Sequence, residues 1–198
     1  MLKGAHVIKV IGVLFLLGTL ASCSHQLTRQ SCMAISSQAQ YCLAPTINAL
    51  HTHNEISLSQ MITMRHGQDD HELLTQLELT TQRMTLVGLA PLGQALFTLV
   101  YDGHTLQSEQ SRLLGDTFNA EYLMAIMQLI YWPTEQINQH LTGAQLRVTP
   151  CENALCKQLI DANGEQISIN YSELNPWQAK ISVTIKSADI LLHITPLE

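Results

Sequence analysis

An alternation of apolar and polar residues begins at Glu55, and this period of two constrains the fold more than any other feature of the chain. Asp102-Gly103 and Asn163-Gly164 are typical of tight hairpins. Because most links between the alternating segments are short, neighbouring strands are expected to pair antiparallel. The pattern predicts ten strands, over residues 55–65, 72–79, 83–89, 94–101, 104–109, 144–148, 157–160, 166–171, 180–186 and 189–195.

Residues 120–131 interrupt the alternation with a segment that is apolar on nearly every side. Thr117 or Asn119 can cap it as a helix, and a helix of this composition is normally buried. A second, amphipathic helix is expected from Pro133 onward. Strands wrapped round one or two helices, without a domain-sized linker, predict a single α+β domain with a strongly curved or barrel-like antiparallel sheet.

The charge balance excludes nucleic acid as a partner. The chain carries ten basic and sixteen acidic residues, a formal net charge of −6. Lys3 and Lys9 lie in the N-terminal segment, so the chain without residues 1–22 has eight basic and sixteen acidic residues, a net charge of −8. Such an acidic body has no electrostatic complementarity to a phosphate backbone.

The N-terminus is typical of a secreted, lipid-anchored protein. Residues 10–20 form an apolar run after a lysine-containing start, which is too short to span a bilayer and fits a signal peptide. Leu20-Ala21-Ser22-Cys23 resembles the lipobox of bacterial lipoproteins, in which the cysteine is acylated. An ordinary signal peptide that happens to hold a cysteine is the alternative. Ser24 stands where Asp commonly marks retention in the inner membrane, so the resemblance implies lipid attachment at Cys23 in the outer membrane, facing the periplasm.

The segment after Cys23 differs from the rest of the chain. It is rich in Ser, Gln, Thr and Ala and has little periodicity, which is typical of a tether. The predicted organisation is therefore a signal peptide, a tether and a folded domain, over residues 1–22, 23–54 and 55–198.

Four cysteines remain after Cys23, and the oxidising periplasm favours their pairing. Four cysteines allow three connectivities. Closeness in sequence favours Cys32 with Cys42 and Cys151 with Cys156. A zinc site is the alternative, but neither pair has CxxC spacing.

The chain contains no nucleophile elbow, HExxH, P-loop or GxGxxG motif. The histidines that cluster are His51 with His53, and His66 with His71 around Asp69-Asp70. A solvated polar turn explains the second cluster at least as well as a metal does. The prediction is a protein without catalytic residues, metal or cofactor.

One stretch resembles a known family. Leu86-Val87-Gly88-Leu89-Ala90-Pro91-Leu92-Gly93, followed by a strand and Tyr101-Asp102-Gly103, resembles the outer-membrane lipoprotein receptor LolB over residues 55–196. With Tyr131-Trp132-Pro133, the stretch also looks like a family of Gram-negative lipoproteins whose genes lie beside aryl-polyene biosynthesis clusters. The short N-terminal segment and the two cysteine pairs depart from the LolB pattern.

This resemblance implies a LolA/LolB-like fold, an incomplete β-barrel closed by helices around a cavity for acyl chains. Leu92 matches the leucine that inserts cargo into the membrane, with Leu89 as its neighbour. A Leu92 side chain that folds back onto the sheet is the alternative. The cargo would be an acylated or polyene-type amphiphile or a lipoprotein, and the partners outer-membrane lipid and a LolA-like carrier or an exporter. A lipid-acting hydrolase or acyltransferase and a structural subunit of an exporter are the alternatives. The expected cavity lining is Met64, Leu77, Leu86, Phe97, Leu123, Met127, Ile130 and Val183.

Overall fold

The computed structural model of the chain describes residues 27–46, 55–114, 118–151 and 154–197. The predicted signal peptide, Cys23 and the end of the predicted tether lie outside the described residues, as do Thr117, His51 and His53. The helices are α1 (Ala120–Tyr131) and α2 (Thr134–Gln139). The strands are β1 (Leu27–Arg29), β2 (Cys32–Ala34), β3 (Gln40–Cys42), β4 (Glu55–His66), β5 (Asp69–Thr80), β6 (Met84–Leu89), β7 (Ala95–Tyr101), β8 (Leu106–Gln110), β9 (Leu141–Thr142), β10 (Ala144–Cys151), β11 (Ala154–Asp161), β12 (Gly164–Tyr171), β13 (Ile181–Ile185) and β14 (Ile190–Pro196).

Eleven strands form one antiparallel sheet in the order β1-β8-β7-β6-β5-β4-β14-β13-β12-β11-β10. The predicted single α+β domain with an antiparallel sheet is confirmed. The sheet is open and does not close into a barrel, since β1 and β10 lie at its two edges and do not pair with each other.

The alternation in the sequence becomes two faces of this sheet. Every second residue of β6 and β7 is buried, because successive side chains of a strand point to opposite faces. The buried face packs with α1 into one hydrophobic core. At Gly88 the missing side chain leaves room for the Phe97 ring, since a Cβ there would lie 2.2 Å from it. The ring also stacks on Phe118, with the centroids 5.6 Å apart.

The predicted tether differs most from the structure. Its described part adds β1 to the edge of the large sheet and forms a small sheet in the order β2-β3-β9. Tyr41, Leu43 and Ala44 are buried in the main core. The reason is that a few large apolar side chains suffice to dock an irregular segment that has no period of its own. Residues 27–46 are thus part of the folded body.

Both favoured cysteine pairs are disulfide-bonded in the structure. Cys32 and Cys42 are directly opposite each other on β2 and β3. Cys151 and Cys156 are joined across the hairpin between β10 and β11. No helix in the described part of the chain is long and apolar enough to cross a membrane.

Candidate functional site

The first candidate site is the apolar interior between α1 and the buried face of the large sheet. Ten of the twelve residues of α1 are buried. The predicted lining residues all meet in this interior: Leu77, Leu86, Phe97, Leu123, Met127, Ile130 and Val183 are buried in the core cluster, and Met64 is half-buried against it. Their role in lining a cavity stays a prediction.

Both ends of α1 are held by polar groups. Asn119 caps the N-terminus, where its side chain accepts a hydrogen bond from the Tyr122 N–H at 3.0 Å. At the C-terminus the hydroxyl of Tyr171 donates to the carbonyl of Ile130 at 2.7 Å. The helix is therefore fixed at its two termini, while its middle turns contact mostly apolar side chains.

Lys157 of β11 provides three more contacts at the C-terminal end of the helix. Its Nζ donates to the carbonyls of Leu129, Ile130 and Trp132 at 3.1, 2.8 and 2.9 Å. These carbonyls are the ones that a helix end leaves unpaired, and a cation is favourable there. Burial lowers the pKa of Lys157 to about 8, although Glu135 opposes the shift. Sequence reasoning missed this residue, because one lysine in a strand carries no signal of its partners.

Gln128 is the polar exception in the middle of α1. Its Oε1 accepts hydrogen bonds from the Tyr41 hydroxyl at 2.7 Å and from the Ala44 N–H at 2.8 Å. Its Nε2 donates to the Ala44 carbonyl at 3.0 Å. The side-chain amide thus pairs with the main chain of Ala44 as a neighbouring strand would, which explains a fully buried glutamine in an apolar helix.

Residues 30–46, here named the strap, cross the interior at this point. The Tyr101 hydroxyl donates to the Leu43 carbonyl at 2.7 Å, and the Trp132 indole N–H donates to the Pro45 carbonyl at 3.1 Å. Tyr101 of β7 and Trp132, directly after α1, therefore hold the strap by hydrogen bonds from two sides. The strap covers part of the interior that the sequence assigned to cargo.

A second polar cluster lies at the C-terminal end of α1. Gln60 donates from Nε2 to the hydroxyl of Tyr131, whose ring stacks on Trp177 with the centroids 4.4 Å apart. Burial raises the pKa of Tyr131 to about 12. The buried Oε1 of Gln60 has no hydrogen-bond partner among the described residues.

The second candidate site is the hairpin between β6 and β7. The Gly93 N–H donates to the Ala90 carbonyl at 2.8 Å, and the Ala90 N–H donates to the Gln94 carbonyl at 2.8 Å. Pro91 follows Ala90 and pre-sets its own φ, while Gly93 has a φ of +80° that favours glycine. This is a three-residue hairpin loop with a glycine in the left-handed region.

Leu92 stands at the tip of this hairpin. The sequence left open whether its side chain folds back onto the sheet, and the structure exposes 99% of the residue. Leu89 is half-buried at the end of β6. The structure therefore separates the two leucines that the resemblance singled out: Leu92 projects from the molecule and Leu89 does not.

The sequence predicts no metal site, and of the two histidine clusters only His66 with His71 lies within the described residues. In the ranges that the structure covers, no group of three or more His, Cys, Asp or Glu side chains is placed to hold a metal. Asp70 instead accepts a hydrogen bond from Arg65 at 2.8 Å, and this contact lowers the pKa of Asp70.

The structure brings together one serine and one histidine that the sequence did not. Ser182 Oγ and His193 Nδ1 lie 3.0 Å apart on the exposed face of β13 and β14. The two residues are opposite each other in the strand register. A nucleophilic serine also needs a third group that orients the histidine, and no carboxylate hydrogen-bonds to His193 in the part of the chain described here. Only the hairpin register, fixed by the alternation of Ile181 and Ile194, could have indicated the pair.

The fold and the site define an antiparallel α+β domain with an apolar helix against an open sheet and an exposed leucine hairpin. The chain belongs to the family described as "Protein of unknown function (DUF3261)", which matches residues 57–198. A search of curated proteins gave no match. A crystal structure of a DUF1329 family protein from Desulfovibrio piger ATCC 29098 is similar, with a TM-score of 0.34, 7% identity and coverage of 79% of this chain and 92% of that chain. A TM-score of this size does not establish a shared fold.

Proposed function

We propose that the protein is an outer-membrane lipoprotein that holds an acylated or polyene-type amphiphile between α1 and the sheet and passes it to the membrane. The observation that carries the proposal is the 99% exposure of Leu92 at the tip of the hairpin. The anchor is the acylated Cys23, and the carrier that delivers cargo is a LolA-like protein or an exporter.

A leucine that is 99% exposed at a hairpin tip adds no buried apolar surface to the fold. It gains nothing from water, whereas burial in an apolar medium is worth about 1.5–3 kcal/mol. Pro91 and Gly93 fix the turn that presents the side chain. A leucine held in this way biases the hairpin toward a bilayer without anchoring the protein.

The interior offers the chemistry that an acyl chain requires. Met84, Met124 and Met127 are fully buried between α1 and the sheet. Methionine is unbranched and polarisable, so it repacks readily around an irregular apolar guest. The polar contacts at the two ends of α1 keep the helix in place while side chains along its length exchange partners with cargo.

The test replaces Leu92 by glutamate in a soluble Cys23→Ala form. Leu92→Glu is expected to melt at the parent temperature and to bind a fluorescent fatty acid with parental affinity, because the side chain touches no core residue. Transfer of the probe to liposomes is expected to slow about tenfold or more, since about 1.5 kcal/mol of insertion energy is lost.

Leu174→Glu is the matched control, because Leu174 is 74% exposed in another loop. It is expected to transfer the probe at the parental rate. Parental transfer by Leu92→Glu would contradict the proposal. Absence of probe binding by the parent would contradict the cargo site itself.

The competing function is a lipid-acting hydrolase, which the Ser182–His193 contact favours. This reading expects the parent to release acid from a short acyl ester and Ser182→Ala to abolish the release. Thr184→Ala on the same strand is its control.

A further inference from the structure

The end of the large sheet that carries Leu92 also carries a second exposed leucine. Strands β6 and β8 both run toward this end, here named the hairpin end. The chain leaves β8 into a 3₁₀ turn over Arg112–Leu114, in which Leu113 is 69% exposed. The Ser111 N–H donates to the Leu96 carbonyl at 2.7 Å, so this turn lies beside the start of β7 and therefore beside the hairpin.

The first described residues of the chain, in β1, lie near the same end of the sheet. In the register of β1 with β8, Leu27 is opposite Ser108 and Arg29 is opposite Leu106. Strand β1 is antiparallel to β8, so it runs from the hairpin end into the sheet. Ser108 lies two residues, about 7 Å, from the end of β8. Cys23 precedes Leu27 by four residues, which reach at most about 14 Å.

We propose that the hairpin end faces a lipid bilayer, with Leu92 and Leu113 in contact with its surface. This orientation rests on the proposed lipid anchor at Cys23, because the short reach from Leu27 keeps the anchored membrane close to this end. Two exposed apolar side chains on separate loops fit a fluid lipid surface better than a protein groove. The acidic body, with a net charge of −8 without residues 1–22, gives no attraction to anionic headgroups, so the apolar contacts decide which end docks.

The opposite end provides an internal control. The strands alternate in direction from β6 to β12, so β12 runs away from the hairpin end. The loop that follows β12 contains Leu174, which is 74% exposed. Leu174 matches Leu113 in residue type and exposure but lies at the far end of the sheet.

The experiment fixes the anchoring point without relying on acylation. Residues 1–22 are replaced by a hexahistidine tag in a Cys23→Ser protein, which is bound to vesicles of phosphatidylethanolamine and phosphatidylglycerol containing nickel-chelating lipid. Leu92→Cys, Leu113→Cys and Leu174→Cys are each labelled with an environment-sensitive nitrobenzoxadiazole dye. Equal melting temperatures of the three variants establish that each is folded.

The dye at positions 92 and 113 is expected to shift its emission to the blue and to be quenched by nitroxide-labelled lipid. The dye at position 174 is expected to keep its emission in water. An unshifted dye at position 113, or equal shifts at all three positions, would overturn the orientation. Lack of palmitate incorporation at Cys23 in cells would instead defeat the proposed anchor, and it is measured separately from the vesicle result.

Discussion

Lys157 shows how one residue can close a helix from outside it. The last carbonyls of α1 have no partner within the helix, and two of them, those of Leu129 and Ile130, accept hydrogen bonds from this one ammonium group. The carbonyl of Trp132, directly after the helix, accepts a third. The contact places a cation where only 5% of the residue is exposed. Removing the charge from water disfavours it, which is the main reason why the pKa of Lys157 falls to about 8.

The shifted pKa makes stability depend on pH in a defined window. Unfolded Lys157 has a pKa near 10.5 and folded Lys157 one of about 8, so the unfolded state binds more protons between these values. The free energy of unfolding is therefore expected to rise with pH above about 8, by about 2 kcal/mol up to pH 9.5. Lys157→Met is expected to lack this rise.

Chemical denaturation of both proteins between pH 7.5 and about 9.5 measures the difference. Higher pH is avoided because burial raises the pKa of several tyrosines, whose ionisation on unfolding lowers stability above about pH 10. Parallel pH profiles for the two proteins would contradict the assignment.

At this scale the sequence predicts residue types better than residue environments. It located Leu92 in a turn, because Pro and Gly bracket it, but could not say whether the side chain projects, since that depends on what lies beneath the turn. The Ser182–His193 contact requires the register of two strands, and Lys157 requires the position of a helix relative to a strand. Each of these depends on tertiary packing that one chain segment does not encode.

Among the elements, α1 was predictable and the strap was not. The bounds of α1 follow from an Asn119 cap and an unbroken apolar segment, and the structure places the helix over Ala120–Tyr131. The strap docks through its main-chain groups as well as through buried apolar side chains such as Tyr41 and Leu43. Gln128, Tyr101 and Trp132 bind the carbonyls of Ala44, Leu43 and Pro45, which any sequence of the strap would offer.

This mode of docking predicts which changes release the strap. The double variant Cys32→Ala/Cys42→Ala is expected to lose about 2–3 kcal/mol of stability, because the unfolded chain gains freedom. The strap should stay docked, and the Ala44 amide should exchange its hydrogen as slowly as the amides of α1. Gln128→Leu removes the acceptor of that amide, so its exchange is expected to become fast relative to α1.

Hydrogen exchange followed by NMR distinguishes the two variants. Cys151→Ala/Cys156→Ala serves as the control, since that disulfide lies across the β10–β11 hairpin, away from the strap. Fast exchange of Ala44 in the Cys32→Ala/Cys42→Ala protein would mean that the disulfide, and not the hydrogen bonds, holds the strap.

For the whole molecule, the sequence predicted the class but not the closure of the sheet. Period-two alternation and short hairpin links determine that strands pair antiparallel with their neighbours in sequence, as β4 to β8 and β10 to β14 do. Whether the two edge strands of such a sheet meet depends on the accumulated twist of the sheet and on what fills the interior. Here α1 and the strap fill it, and the edges β1 and β10 remain apart.

An open sheet must protect its edges from pairing with another chain. On β10 the outward main-chain groups of Leu146 are occupied, since the Asn138 side chain donates to its carbonyl at 2.9 Å and accepts from its N–H at 2.8 Å. Two residues further along that edge stands Val148, 57% exposed, and then Pro150, which has no N–H. Asn138 and Pro150 therefore interrupt the edge on both sides of Val148.

Asn138→Ala is expected to free the main-chain N–H and carbonyl of Leu146. The β10 edge would then offer the main-chain groups of both Leu146 and the exposed Val148 for pairing with a second copy of the protein. Sedimentation velocity should then show self-association that increases with concentration and exceeds that of the parent. Adding Val148→Lys should reverse the increase, because a charged side chain on an edge strand opposes pairing. An Asn138→Ala protein that sediments as the parent does would show that this edge is protected by another feature than the Asn138 side chain.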